Sequence, residues 1–170
     1  MKTALITLTV IIIAIVAVFF ILGVMSKSGK APGLIDGKLS KCPDKPNCVC
    51  SEYETSSHYV EPLVIPDNPA FDVFAALINT IKEMGGRVQS ERGNYIAATF
   101  SSAIFGFIDD LEVRIDSQRK VIHIRSASRV GHSDMGVNRE RAVLLKKLYI
   151  KKVSEQAAPS TGATPGSGIQ

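Results

Sequence analysis

The chain has 170 residues and a net charge of +4, and 45% of its residues are hydrophobic. This length allows one folded domain of ordinary size with its own core. The charge is uneven, since residues 114–152 carry eleven lysines and arginines against three acidic residues. Tyr149 is the one aromatic residue of that basic stretch, which argues against nucleic acid as the partner because no stacking platform is present.

An uncharged run covers residues 4–25, where Thr7 and Thr9 are the polar side chains. As a helix it is long enough to cross a hydrocarbon core of about 30 Å. A cleaved signal peptide usually has a shorter apolar region and a small-residue cleavage site, and neither is evident here. The sequence therefore predicts an uncleaved transmembrane anchor over residues 1–25 and a flexible stalk over residues 26–36.

The next elements predict an α+β domain over residues 37–154. Apolar residues at helical spacing, namely Phe74, Leu77, Ile78 and Ile81, predict a helix capped by Asn68 and stopped by Gly85-Gly86. Strands are predicted at residues 87–91, 95–101, 110–117 and 121–126, with residues 103–109 as a bulged strand or a turn. A second helix follows at about residues 137–153. We expect an antiparallel sheet of about four to five strands packed by two helices, preceded by one transmembrane helix.

Alternation in the two last strands predicts which sheet face is buried. Leu111, Val113 and Ile115 alternate with Glu112, Arg114 and Asp116, and His123 and Arg125 face away from the core in the following strand. One face of the sheet is therefore expected to contact water. Residues 155–170 are rich in small residues and proline, and are predicted to form a disordered tail.

Cys42, Cys48 and Cys50 lie in a loop with two prolines. Cys42 and Cys48 could close a disulfide in an oxidising compartment. Alternatively all three thiols stay free, or they bind zinc together with His58. A zinc ribbon would use paired C-x2-C knuckles, and the sequence has no second pair.

Residues 125–141, which we call the arginine segment, combine four arginines with small polar residues where a strand ends and a helix begins. Arginine forks, turn N–H groups and a helix N-terminus together suit a phosphate or carboxylate. The predicted ligand residues are Arg125, Ser126, Ser128, Arg129, Ser133, Asp134, Asn138, Arg139 and Arg141. The alternative is structural: Ser133 or Asp134 caps the helix, and Arg139 or Arg141 pairs with Asp109, Asp110 or Glu112.

The adjacent residues His132, Ser133 and Asp134 suggest a hydrolase, but members of a catalytic relay meet in space rather than in sequence. Asp110 and Glu112 supply too few oxygens for a hard metal ion. The sequence therefore assigns no catalytic residue, metal or cofactor. An enzyme acting on a phosphorylated or acyl substrate, and an assembly partner for other membrane proteins, are the alternatives to a binding module.

Several motifs resemble an uncharacterised family known as domain of unknown function 1499. They are P-G-L-I-D-G-K-L-S-K-C-P-D-K-P-N-C-V (32–49), H-Y-V-E-P-L (58–63), M-G-G-R-V (84–88), F-I-D-D-L-E-V (107–113) and V-I-H-I-R-S-A-S-R-V-G-H-S-D-M-G-V-N-R-E-R (121–141). Its members are commonly small exported or membrane-anchored proteins of bacteria, with relatives in plastids. Cys42 and Cys48 fit its pattern, whereas Cys50 stands where the family usually has serine. The resemblance thus implies a Cys42–Cys48 pair and a free Cys50.

Lysines on both sides of the apolar run leave its orientation open. Lys27, Lys30 and Lys38 follow it and Lys2 precedes it, which by the positive-inside rule favours a cytoplasmic domain. A short N-terminal anchor and exported relatives favour the opposite side. We expect a single-pass inner-membrane protein with a periplasmic, non-catalytic domain. Its expected partner is an anionic group, foremost a lipid headgroup, with an acidic protein surface as the other possibility.

Overall fold

A computed structural model, which describes residues 1–54 and 56–157, confirms the α+β fold. Its helices are α1 (Lys2–Ser26), α2 (Val73–Glu83) and α3 (Val137–Ala157). The strands are β1 (Leu34–Ile35), β2 (Lys38–Leu39), β3 (Cys48–Cys50), β4 (Leu63–Val64), β5 (Arg87–Arg92), β6 (Tyr95–Ser101), β7 (Ile108–Asp116) and β8 (Val121–Ser128). Of residues 103–109, which are predicted as a bulged strand or a turn, residues 103–107 precede β7 as a turn and residues 108–109 begin β7.

The main sheet is antiparallel and has the order β3-β8-β7-β6-β5, with β4 also paired to β8. The two short strands β3 and β4 bring the sheet to six strands, beyond the four to five expected. They are two to three residues long and lie in stretches with prolines, so neither shows an alternating pattern in the sequence. β1 and β2 form a separate hairpin.

The hydrophobic core lies between one face of this sheet and helices α2 and α3. Leu77 and Ile81 of α2, Leu111 of β7 and Leu145 of α3 are fully buried there. The helical and strand periodicities of the sequence therefore identified the core face correctly. Deleting buried aliphatic side chains such as these typically costs about 2–5 kcal/mol.

Helix α2 begins later than the sequence suggests. Asp72, rather than Asn68, is its N-cap, and the Asp72 carboxylate accepts a hydrogen bond from the Ala75 N–H at 2.9 Å. Asn68 instead accepts a hydrogen bond from the Ala70 N–H in the preceding turn. The prediction of Asn68 as the cap was wrong because this turn is used to bury Phe71 before the helix starts.

The centre of the second sheet face, on β6, β7 and β8, is covered and does not contact water, contrary to expectation, whereas Gln89 on the edge strand β5 is exposed. The chain between α1 and the first cysteine crosses it: Leu39 is fully buried, and the Gly33 N–H donates to the Glu112 carboxylate at 2.9 Å. Residues 26–36 are therefore not a free stalk. Their small, polar composition suits a flexible linker, but it equally lets the backbone lie close to a sheet and donate to a buried carboxylate.

Both chain ends extend the domain. Helix α1 is long and apolar enough to cross a membrane, and its apolar side chains are exposed. Helix α3 continues to Ala157, so residues 155–157 of the predicted tail are helical, with Lys151 and Glu155 3.7 Å apart on its surface. The rest of that predicted tail, residues 158–170, lies outside the described residues.

Cys42 and Cys48 form a disulfide, with their Cα atoms 5.7 Å apart. A zinc site that uses all three thiols is therefore not formed. Cys50 is free and buried, and its burial raises the pKa of the thiol to about 11. The disulfide braces the loop that leads into β3, and β3 pairs with the end of β8 where the arginine segment begins.

Replacing both Cys42 and Cys48 with serine should lower the free energy of unfolding by about 2 kcal/mol. This value is at the low end for a disulfide because a short closed loop restricts the unfolded chain less than a long one. Urea unfolding of the full chain in detergent, with and without reductant, measures this. Reductant should destabilise the native protein and leave the double variant unchanged. Equal sensitivity of both proteins to reductant would contradict the prediction.

Candidate functional site

The arginine segment meets the acidic residues of β7. Strands β7 and β8 pair in a register that sets Glu112 opposite Arg125 and Asp109 opposite Ser128. Three arginines consequently each contact one carboxylate. The pairs are Arg125 with Glu112, Arg129 with Asp110 and Arg141 with Asp109, at 2.8, 2.7 and 2.7 Å. The structural alternative weighed from the sequence thus holds for Arg141 and Asp109.

Glu112 lies at the centre of the covered sheet face and is fully buried. Its carboxylate accepts hydrogen bonds from the Arg125 guanidinium, from the Tyr95 hydroxyl at 2.7 Å and from the Gly33 N–H. Burial, followed by the bond to Glu112, raises the pKa of Tyr95. Arg125 is buried against Glu112, so this guanidinium stabilises the covered sheet face, while its Nε atom has no hydrogen-bond partner.

Arg129 joins the sheet to the C-terminal end of α1. Its guanidinium binds both oxygens of Asp110, and Nη1 donates to the carbonyl oxygens of Ser26 and Lys27 at 3.3 and 3.5 Å. The last carbonyls of a helix lack partners within it and carry partial negative charge, so a guanidinium stabilises them. The hydrogen bond to Asp110 is the main cause of the raised pKa of Arg129.

Asn138 organises the start of α3 and is buried. Its side-chain oxygen accepts from the Ser126 hydroxyl and from Arg141, both at 2.6 Å, while its amide donates to Asp134 and to the carbonyl of Asn47. Asp134 also accepts from the Asn138 N–H at 2.7 Å. These residues close the helix start and tie it to the cysteine loop. Asn47 was missed because a loop asparagine gives no sequence signal for such a contact.

Of the remaining predicted ligand residues, Ser128, Ser133 and Asp134 line a cavity of about 250 Å³, whose wall also includes Phe19 and Phe107. Ser128 accepts from the Asn138 amide, Ser133 is exposed and accepts from the Met135 N–H, and Arg139 donates to the Tyr59 carbonyl. His132 is exposed and Asp134 is engaged at the helix start. The three adjacent residues that suggested a hydrolase therefore do not form a relay.

The C-terminal part of α1 packs against the turn between β6 and β7. The ring centroids of Phe19 and Phe20 each lie 5.2 Å from that of Phe105. Gly23 is buried, and a Cβ there would lie 1.9 Å from the Phe105 carbonyl oxygen, so this contact requires glycine. The buried Ser26 hydroxyl accepts from the Ile108 N–H at 3.0 Å. The glycine within the apolar run is the sequence signal that could have indicated a packed helix.

A pocket of about 330 Å³ opens beside this junction, and we call it the basic pocket. Its charged and polar lining consists of Lys27, Lys30, Arg129, Asp110, Thr99 and Gln89. Lys27 and Lys30 are exposed, whereas Arg129 is neutralised by Asp110. The pocket therefore has a net positive charge from two accessible lysines. Of the nine predicted ligand residues, Arg129 alone lines it.

A larger cavity of about 510 Å³ between β4 and α3 offers less to a charged ligand. Its walls are mostly apolar, and the charged residues that line it, Lys146 and Glu61, pair with each other at 3.0 Å. Within residues 1–54 and 56–157, no group of His, Cys, Asp and Glu is arranged to hold a metal ion. The junction of α1 with the sheet is thus a place where unpaired charge and shape coincide.

Comparison with protein families gives a match over residues 38–148 to a family described as "Protein of unknown function (DUF1499)". The chain belongs to the DUF1499 family. No similar protein was found among curated proteins. The DUF1499 match contains the three arginine–carboxylate pairs and the turn that contacts α1, whereas α1, Lys27 and Lys30 precede it.

Replacing Arg125 with methionine should lower the free energy of unfolding of the DUF1499 domain by about 3–5 kcal/mol, because Glu112 would stay buried without its cation. Urea unfolding of the full chain in detergent gives the value. The matched control is the double variant Glu112→Leu/Arg125→Met, which removes both charges and should cost less than the single change. If the double variant lost as much stability as Arg125→Met, or more, the result would contradict a coupled pair.

Proposed function

We propose that this protein is a single-pass membrane protein whose DUF1499 domain is a non-catalytic module that binds anionic phospholipid headgroups in the basic pocket. The observation that carries the proposal is the position of that pocket. It lies at the first turn after α1, with two accessible lysines, Lys27 and Lys30. The proposed ligand is still the anionic group expected from the sequence, but its binding site is the basic pocket rather than Arg125 and Arg141.

Retention of α1 is supported by its contacts with the domain. Cleavage after the apolar run would remove Phe19, Phe20 and Gly23 from the turn that contains Phe105. Cleavage beyond Ser26 would also leave the Ile108 N–H without the hydroxyl that accepts its hydrogen bond. A removable signal sequence has no reason to be complementary to the mature domain.

The disulfide supports a domain outside the cytoplasm. Disulfides persist in oxidising compartments and are rare where glutathione keeps thiols reduced. Cys42 and Cys48 are joined, whereas positive-inside counting gives a weak preference for the opposite orientation. For a bacterial cell we therefore propose a periplasmic domain with α1 in the inner membrane.

A reporter that is active only in the periplasm, fused after Gln170, should be active. In the same cells, Cys42 and Cys48 should react with a thiol reagent only after reduction. Intact mass of the purified protein should retain residues 1–25. A reporter active only in the cytoplasm, or a mature chain that begins after Ser26, would overturn the anchored, periplasmic arrangement.

The lysines of the basic pocket lie at headgroup level if α1 spans the bilayer. Lys27 follows the apolar run by two residues, and residues beyond its end extend the chain into the headgroup region. Each lysine close to an anionic surface contributes about 1 kcal/mol of attraction. Two accessible lysines in a pocket with polar lining residues therefore favour an anionic headgroup over a zwitterionic one.

Replacing Lys27 and Lys30 together with glutamine should weaken binding of phosphatidylglycerol to the full chain more than about tenfold, since about 2 kcal/mol is lost. Native mass spectrometry of the detergent-solubilised protein measures this, with phosphatidylcholine as the reference lipid. The matched control is Lys82→Gln/Lys147→Gln, which removes equal charge from exposed positions on α2 and α3, across the sheet.

Three results would overturn the headgroup assignment. The two double variants could weaken binding equally, which would indicate a general charge effect. Phosphatidylcholine could bind the native chain as tightly as phosphatidylglycerol. Finally, glycerol 3-phosphate could bind as tightly as the lipid, in which case the pocket recognises a soluble phosphate.

A further inference from the structure

The turn between β6 and β7, residues 102–107, has the uncharged sequence S-A-I-F-G-F. Its tip residue Ile104 is 75% exposed, although it is the kind of side chain that normally enters a core. Phe105 and Phe107 of the same turn contact Phe19 of α1. The turn thus extends an apolar surface alongside the membrane helix, away from the core of the domain.

The depth of this turn follows from its contacts. Phe19 and Phe20 precede Met25, the end of the apolar run, by six and five residues. At 1.5 Å per residue, they lie roughly 8–9 Å along the helix from that end. Because Phe105 stacks on Phe19 and packs edge-on against Phe20, it lies at the same level. This level is inside the bilayer if the apolar run spans it.

We infer that residues 102–107 insert into the leaflet that faces the domain, with Ile104 in contact with lipid acyl chains. The partner of this surface is the lipid bilayer itself. The inference rests on the proposed function, because it requires α1 to span the membrane. It adds a second membrane contact within the folded domain, at a turn 76 or more residues from the end of α1.

Backbone hydrogen bonds close the base of the turn. The Ser102 N–H donates to the Phe107 carbonyl at 2.9 Å, and the Phe107 N–H donates to the Ser102 hydroxyl at 3.0 Å. The next N–H, that of Ile108, donates to Ser26. Polar backbone groups in contact with lipid are costly unless they are satisfied internally. These bonds lower the cost of placing the base of the turn near acyl chains.

Charge and aromatic residues agree with this placement. Phenylalanine rings lie on both sides of the α1 junction. Lys27 approaches the base of the turn at Gly106, since a Cβ atom added to Gly106 would lie 3.7 Å from the Lys27 Cε atom. A lysine at headgroup level directly above an apolar tip is the arrangement of interfacial membrane segments. The basic pocket and the inserted turn therefore share one membrane-facing side.

Depth-dependent fluorescence quenching tests the inference. Ile104→Cys in the full chain, labelled with an environment-sensitive fluorophore and reconstituted in phospholipid nanodiscs, should be quenched severalfold more by lipids spin-labelled on the acyl chain than by aqueous iodide. Gln118→Cys, at the exposed turn between β7 and β8, is the matched control and should show the reverse. Native Cys50 is buried and should stay unlabelled.

A third label at Val16→Cys in α1 separates the two proposals. If spin-labelled acyl chains quench Val16→Cys but not Ile104→Cys, the inference that the turn inserts is wrong, while the proposal that α1 is a membrane anchor is supported. Absence of acyl-chain quenching at both positions would overturn the anchor and the inserted turn together. Acyl-chain quenching at both, with Gln118→Cys quenched by iodide, supports the inference.

Discussion

The buried ion pair between Glu112 and Arg125 is the constraint on which the rest of the domain depends. A carboxylate with no exposed surface is tolerated only when its charge and its lone pairs are satisfied. Arg125 supplies the charge, and Tyr95 and Gly33 supply further donors. Because one donor is a backbone N–H from the segment before the cysteine loop, that segment must cover the sheet. The cover in turn excludes water from the pair.

This coupling fixes where α1 lies. The segment that reaches Gly33 begins at the end of α1, and Arg129 binds Asp110 and the helix carbonyls at once. Helix α1 is consequently attached to the sheet through polar contacts at its end and aromatic contacts at Phe105. A module held in this way presents one fixed side to a bilayer, whereas a flexible tether would let it present any side. A binding pocket at the junction has a function only in the first case.

The sequence predicts the core face well and the second face poorly, for a physical reason. Alternation in β7 reports which side chains are apolar, and Leu111 and Val113 are buried as expected. The same alternation cannot tell a polar face in water from a polar face whose charges neutralise one another under a cover. Glu112 shows the difference, because its neutralising partner lies across the β7–β8 pair. Three of the four arginines in the arginine segment pair with carboxylates of the domain itself, so their density in the sequence does not by itself indicate an external anion.

Arginine and lysine have different roles at the junction because their side chains differ chemically. The planar guanidinium of Arg129 matches the two oxygens of Asp110 and is weakly hydrated, so it suits a partly buried, fixed geometry. The ammonium groups of Lys27 and Lys30 are strongly hydrated point charges on flexible stems, and both residues are exposed. Donor density in a sequence therefore points first to the arginines, although Arg125, Arg129 and Arg141 each pair with a carboxylate of the domain. A mobile lipid headgroup is better met by the lysines, whose positive charge is still available and whose side chains can follow the headgroup.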